Sequence, residues 1–149
     1  IWKTWYNSGI SWEKRDSGWH PKYGIHYATS KDGVDWNSHK GLVIPIKDIY
    51  EHSFGRPCVV KWNGKYRMWF AHRGTKDYST YRIGYADSLD GIKWNRKDEN
   101  SGITISETGW DSESICYPYL FEHRGVRYML YNANNYGLTG FGYAIGKND

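Results

Sequence analysis

Arg82-Ile83-Gly84-Tyr85-Ala86-Asp87-Ser88-Leu89-Asp90-Gly91-Ile92-Lys93-Trp94-Asn95 is the stretch from which the architecture can be read. An apolar run leads into a polar turn, and a tryptophan follows. An Asp-Gly pair between apolar residues predicts a hairpin, because the turn needs a positive φ that glycine supplies without steric cost. The pattern recurs. Ile25-His26-Tyr27-Ala28 precedes Ser30-Lys31-Asp32-Gly33-Val34-Asp35-Trp36-Asn37, and Phe141-Gly142-Tyr143-Ala144 opens a third copy. The shared tyrosines stand at 27, 85 and 143, a constant step of 58. The third copy runs to Asn148-Asp149, where its own Asp-Gly turn would begin.

A second pair of strands precedes each tyrosine. Pro57-Cys58-Val59-Val60-Lys61-Trp62-Asn63-Gly64-Lys65-Tyr66-Arg67-Met68-Trp69-Phe70 aligns with the stretch from Pro118-Tyr119-Leu120-Phe121 through Gly125 to Tyr128-Met129-Leu130-Tyr131. Both read as apolar run, glycine turn, apolar run. Thr4-Trp5-Tyr6-Asn7 matches the end of the same hairpin, Met129-Leu130-Tyr131-Asn132. Four short strands repeated about every sixty residues predict all-β architecture: β-propeller blades built as four-stranded antiparallel meanders. The repeat divides the chain at about 1–56, 57–117 and 118–149. That makes about two and a half blades, whereas a closed ring needs at least four. The expectation is a longer chain, or a homo-oligomer that completes the ring through exposed blade faces and edges.

Composition agrees with strands. The chain of 149 residues carries 9 Trp, 14 Tyr and 17 Gly against 2 Met and 4 Phe. Aromatic residues suit pleated, half-buried surfaces and glycine suits tight turns. Trp and Tyr also offer an apolar face with a polar edge, which serves inter-sheet packing or stacking on a sugar ring. The formal charge of +4 is spread among 16 acidic residues with no basic run, so no nucleic-acid partner is expected. No apolar run approaches a helical membrane span, so no membrane partner is expected. Cys58 and Cys116 form neither a disulfide framework nor a zinc pattern and read as free thiols. No cofactor motif and no metal set are present; Gly140-Phe141-Gly142 has the wrong spacing for a dinucleotide loop. The first residues, Ile1 to Tyr6, read as the middle of a strand, and the compartment stays open.

The combination of Arg-Pro and Tyr-Pro before apolar strands, Gly64-Lys65-Tyr66-Arg67-Met68-Trp69-Phe70, the 82–94 stretch and Trp110-Asp111-Ser112-Glu113 resembles a known group. These motifs are similar to those of five-bladed propellers related to family 43 glycoside hydrolases, arabinanases, levansucrases and invertases. The resemblance implies a glycan as partner and cleavage or transfer of a glycosyl group in an axial funnel. It also implies three carboxylates: two Asp, one of them just before a blade-opening proline, and a Glu near a proline as general acid. At those places this sequence has Arg56 and Tyr117 before the prolines, and Gly55 and Cys116 one residue earlier. No carboxylate carries over at the matching positions.

Aligning the segments before the prolines sets Glu51-His52-Ser53-Phe54-Gly55-Arg56 over Ser112-Glu113-Ser114-Ile115-Cys116-Tyr117. Positions that differ between copies are poor scaffold and good site candidates. Glu113 is the first choice as catalytic acid, in the apolar company of Trp110, Ile115 and Tyr117, which would raise its pKa. A solvated loop glutamate is the plainer reading. Asp111 is the second carboxylate, or else an Asx turn. Glu51 is a base or hydroxyl acceptor, or else surface charge. Arg56, His52, Tyr117 and His72 are candidates for holding substrate, with Arg56 suited to a carboxylate or phosphate on a sugar. A structural ion pair is its alternative. Asn132 and Asn134 offer the mixed donors and acceptors that hydroxyls require, although turn formation also explains them. The leading expectation is a glycoside hydrolase-like enzyme using carboxylate acid/base chemistry. The alternatives are a non-catalytic sugar-binding propeller and an interaction scaffold.

Overall fold

A computed structural model describes residues 1–146, so the expected turn at Asn148-Asp149 lies outside the described residues. Ten strands follow in chain order: β1 (Trp2–Arg15), β2 (Gly18–Ser30), β3 (Trp36–Ser38), β4 (His52–Trp62), β5 (Lys65–Arg73), β6 (Arg82–Ser88), β7 (Asn95–Arg96), β8 (Cys116–His123), β9 (Val126–Asn132) and β10 (Phe141–Ile145). They form three antiparallel sheets in the orders β1-β2-β3, β4-β5-β6-β7 and β8-β9-β10. The middle sheet is the complete four-stranded meander, a propeller blade. The first sheet holds strands equivalent to β5, β6 and β7, and the third those equivalent to β4, β5 and β6.

The register matches from sheet to sheet. Trp5 pairs with Tyr27, Trp69 with Tyr85, and Leu130 with Tyr143. The polar connection is also the same in both complete copies. Asp32 Oδ1 accepts from the Val34 and Asp35 amides, and Asp90 Oδ1 from those of Ile92 and Lys93. Ser30 and Ser88 hydroxyls accept from the Gly33 and Gly91 amides. The Asp-Gly pair therefore works inside a longer connection, residues 31–35 and 89–94, rather than as a two-residue turn.

Two apolar layers hold the sheets face to face. Strand alternation sends Met68 and Phe70 of β5 into the first, with Ile25, Tyr27, Ile44 and Phe54. It sends Trp69 into the second, with Ile83, Tyr85, Ile115, Leu120 and Tyr131. Each fully buried large side chain contributes roughly 1.5–3 kcal/mol. Tyr27 and Tyr85 are buried in these layers, whereas Tyr143 lies on the outer face of the third sheet and is 65% exposed. Between the first two sheets, Trp5 Nε1 donates to the Gly91 carbonyl at 2.8 Å. Gly91 has φ +80°, and a Cβ there would meet Trp5 at 2.9 Å, so both backbone and space require glycine.

Two features depart from the sequence reading. Strands β4 and β8 begin at His52 and Cys116, upstream of the prolines that were expected to open them. And β1 and β2 continue past the sheet as an extended two-stranded hairpin, closing at Arg15 and Gly18, which no repeat foreshadowed.

Candidate functional site

Both inner strands begin irregularly. The pairing of β4 with β5 shifts on either side of Gly55, and that of β8 with β9 shifts between Cys116 and Tyr119. The residues at these bulges sit at positive φ: Ser53 at 57°, Arg56 at 44° and Tyr117 at 58°. Arg56 and Tyr117 each precede a proline, which further narrows the conformations open to them. Side chains held in the left-handed region cost about 1–3 kcal/mol each and concentrate at functional sites. The bulge explains why the strand runs on through the proline. It also turns these two side chains, equivalent in successive blades, toward each other.

They meet as a stack. The Arg56 guanidinium lies 5.3 Å above the Tyr117 ring. Tyr117 packs against Tyr81 and Tyr136 with centroids 5.8 and 6.4 Å apart, and Tyr81 meets Tyr136 at 5.8 Å. Arg73 closes the group, 4.9 Å over Tyr81 and donating to the Tyr136 hydroxyl at 3.1 Å. Tyr136 reaches this place because Asn135 and Tyr136 occupy a left-handed turn after β9. Among the described residues, neither Arg56 nor Arg73 pairs with a carboxylate, and the buried Arg73 Nε has no acceptor. Burial pushes the Tyr81 hydroxyl up to about 12 against the opposing charge of Arg73. Tyr81 therefore stays neutral and serves as a ring face.

Glu113 stands beside this stack on a fixed backbone. Its amide donates to Asn134 Oδ1 at 2.9 Å. Its carbonyl accepts from the Thr80 hydroxyl at 2.7 Å and from Arg82 at 3.0 Å. The residue itself is exposed, so the expected enclosure by Trp110, Ile115 and Tyr117 is absent. Asp111 is buried at 5% exposure; its Oδ2 accepts from the Tyr131 hydroxyl, and its Oδ1 has no partner among the described residues.

Glu51 is fully buried and is not surface charge. Oε1 accepts from His72 Nδ1 at 2.7 Å and Arg96 at 2.6 Å; Oε2 accepts from Arg96 at 2.9 Å and the Lys47 amide at 2.6 Å. Arg96 also grips Asp98 at 2.9 Å, and Lys47 reaches the same carboxylate at 2.8 Å. Burial alone would raise the Glu51 pKa, but the bonds from His72 and Arg96 and the Arg96 charge outweigh it and hold it at about 2.

The structure thus gathers Arg56 and Tyr117 with Glu113 close at hand, since Tyr81 and Arg82 belong to the segment that holds Glu113. It commits Glu51 to a separate ion-pair network with Arg96, to which His72 is hydrogen-bonded. Asn134 is occupied, accepting from the Glu113 and Ser114 amides and donating to Gly109, and Asn132 donates to the Tyr136 carbonyl. These two shape the loops that carry Glu113 and Tyr136. His52 bonds Ser53 at 2.5 Å and lines a separate cavity with Tyr50 and Lys76. Sequence reasoning missed Tyr81, Arg82, Arg96 and Asp98. A signal for two of them existed: Arg96 and Asp98 replace Ser38 and Lys40 of the first copy.

No protein-family model matches the chain. An uncharacterized protein of Mycobacterium tuberculosis, MT1551, is 43% identical over 147 residues, covering 98% of this chain and 47% of its own length. A 1,2-β-oligomannan phosphorylase of a Thermoanaerobacter species is 30% identical over 132 residues, covering 80% of this chain and 43% of its own. The chain spans about half the length of the curated relatives it matches. Among solved structures, Zg3597, a family 117 glycoside hydrolase of Zobellia galactanivorans, superposes with a TM-score of 0.68. It is 24% identical, with 85% of this chain and 39% of that one covered, a likeness of fold.

Proposed function

We propose that this chain is part of a carbohydrate-active propeller of the five-bladed type. In this reading the starts of β4 and β8 form a wall that binds a glycan and an anion, and Glu113 is the acid. The observation that carries it is the Arg56–Tyr117–Tyr81–Tyr136–Arg73 stack. Tyr136, at the exposed edge of the stack, is the ring open to the C–H face of a sugar. Two guanidiniums without carboxylate partners match the planar, bidentate demands of phosphate. The glycan follows from the stack and from the glycoside hydrolase likeness of fold. The anion follows from the arginines and from the phosphorylase relative.

The step that fits is phosphorolysis. A phosphate oxygen bonds to the anomeric carbon as the glycosidic C–O bond breaks, and the leaving oxygen takes the proton of Glu113. Plain hydrolysis is the second reading, favoured by the exposure of Glu113, which leaves room for water. The test uses the full natural protein with β-1,2-linked oligomannan, with and without phosphate. We expect a sugar 1-phosphate that forms only with phosphate present. Replacing Arg56 by Ala removes a charge-assisted contact of about 1.5–3 kcal/mol and should raise the KM for phosphate roughly 10- to 100-fold. Free sugar released without phosphate, at a rate indifferent to Arg56→Ala, would overturn the anion site and leave hydrolysis.

A further inference from the structure

We infer a second ligand pocket, set away from the inner strands, that takes a neutral hydroxyl-bearing ring. That the ring is a sugar unit of the same glycan rests on the function proposed above; the pocket itself does not.

A cavity of about 410 Å³ opens between the ends of β5 and β6 and the segment 98–104. None of its lining residues belongs to β4 or β8. His72 lines it and carries a buried ring nitrogen, Nε2, without a hydrogen bond among the described residues. The Glu51 carboxylate, ionised above pH about 2, can only accept, so the proton between it and His72 sits on Nδ1. With Nδ1 committed to Glu51, Nε2 is the ring nitrogen left to pair with a ligand. The His72 side chain is 1% exposed, and Nε2 has no hydrogen bond among the described residues. Asp98 Oδ2, at 3.7 Å, is out of hydrogen-bond reach and is no donor. Buried polar atoms left alone are rare, and this one belongs to a residue that lines the cavity.

The remaining walls narrow the ligand class. Asp98 is neutralised by Arg96 and Lys47. Arg82 lies over the Tyr78 ring and spends one nitrogen on Thr80, Tyr81 and the Glu113 carbonyl. The other charged lining residues, Arg82 and Glu99, are single and of opposite sign, so among the described residues no free pair of like charges is there to draw phosphate or a metal ion. Ile83 and Ile103 supply an apolar floor and Tyr78 a ring wall. A hydroxyl, which both donates and accepts, suits Nε2, acceptors suit the remaining Arg82 nitrogens, and an apolar face suits the floor. A pyranose has all three, and the volume falls in the usual range for small-ligand sites. Because Arg82 also holds the Glu113 main chain, an occupant would sit one side chain away from the proposed acid. We assign the cavity to a branch or neighbouring unit of the bound glycan.

The full natural protein, labelled with ¹⁵N-histidine, reports on this directly. The His72 ring is recognised by its contacts to Phe54 and Tyr78. Titration with the methyl β-pyranosides of mannose, glucose and galactose should move Nε2 saturably toward its hydrogen-bonded shift with at least one of them. Thr104→Trp, a change at an exposed rim position, should abolish the movement with near-UV circular dichroism unchanged. Arg56→Ala should leave it intact. No saturable movement with any of the three, the same movement in Thr104→Trp, or movement with sodium phosphate instead would each overturn the pocket. Loss of phosphate-dependent turnover with the His72 response retained removes the function proposed above and leaves the pocket. The reverse result removes the pocket alone.

Discussion

Replacing Glu51 by Gln tests whether that residue is architecture or chemistry. The carboxylate accepts four hydrogen bonds, from His72, twice from Arg96 and from the Lys47 amide. An amide can accept at only one of its two atoms, so its NH₂ must face donors on the other side. Arg96 would keep Asp98 and the Pro45 carbonyl but would lose its buried counter-charge. Removing one partner of a buried ion pair costs about 3–5 kcal/mol. For a chain of this size each kcal/mol lowers Tm by roughly 2–4 °C. The expected loss is therefore about 6–20 °C by thermal unfolding. In a double-mutant cycle with Arg96→Met, the two losses should fall well short of adding, since the second change removes the charge that the first left stranded. A fall of less than about 3 °C, or simple additivity, would refute the network as an anchor. Lost turnover at unchanged Tm would return Glu51 to the candidates for catalysis.

Acid should act through the same group. The Glu51 pKa is depressed to about 2 from its ordinary value of 4.5, so its contribution is complete above pH about 4.5 and drains away as pH falls toward 2. Its size is on the order of 3 kcal/mol, read from urea midpoints between pH 6 and 2.5, and Glu51→Gln should flatten that profile. Gly91→Ala should cost about 2 kcal/mol or more in chemical denaturation, because φ +80° strains alanine and its Cβ meets Trp5. Gly102→Ala, at φ +77° with nothing within 4 Å, carries the strain without the clash and should cost about half as much. Because Glu113 is the proposed acid, Glu113→Gln should reduce glycan turnover about 100-fold or more, and because the residue is exposed stability should stay within about 0.5 kcal/mol. Unchanged turnover would remove Glu113 from the mechanism.

What lay open in the chain itself was whatever repeats or alternates. The tyrosines at 27, 85 and 143 fall in matching register in all three sheets because strand pairing depends on local alternation and on turn chemistry. Ser30 with Asp32 and Ser88 with Asp90 tie the same connection twice, within a few residues of sequence. Comparing copies also pointed to Arg56 and Tyr117, since neither matches its counterpart. What those residues do was fixed only in three dimensions. Their left-handed φ comes from bulges imposed by the pairing of β4 and β8. Their partners Tyr81, Arg73 and Tyr136 arrive from other strands and turns. Glu51 illustrates the limit most sharply. It reads as surface charge beside other polar residues, and only an arginine 45 positions later makes its burial possible. Short-range chemistry is written in neighbouring letters. The pairing of buried charges depends on which distant side chains the packed sheets bring together, and that is settled by tertiary structure.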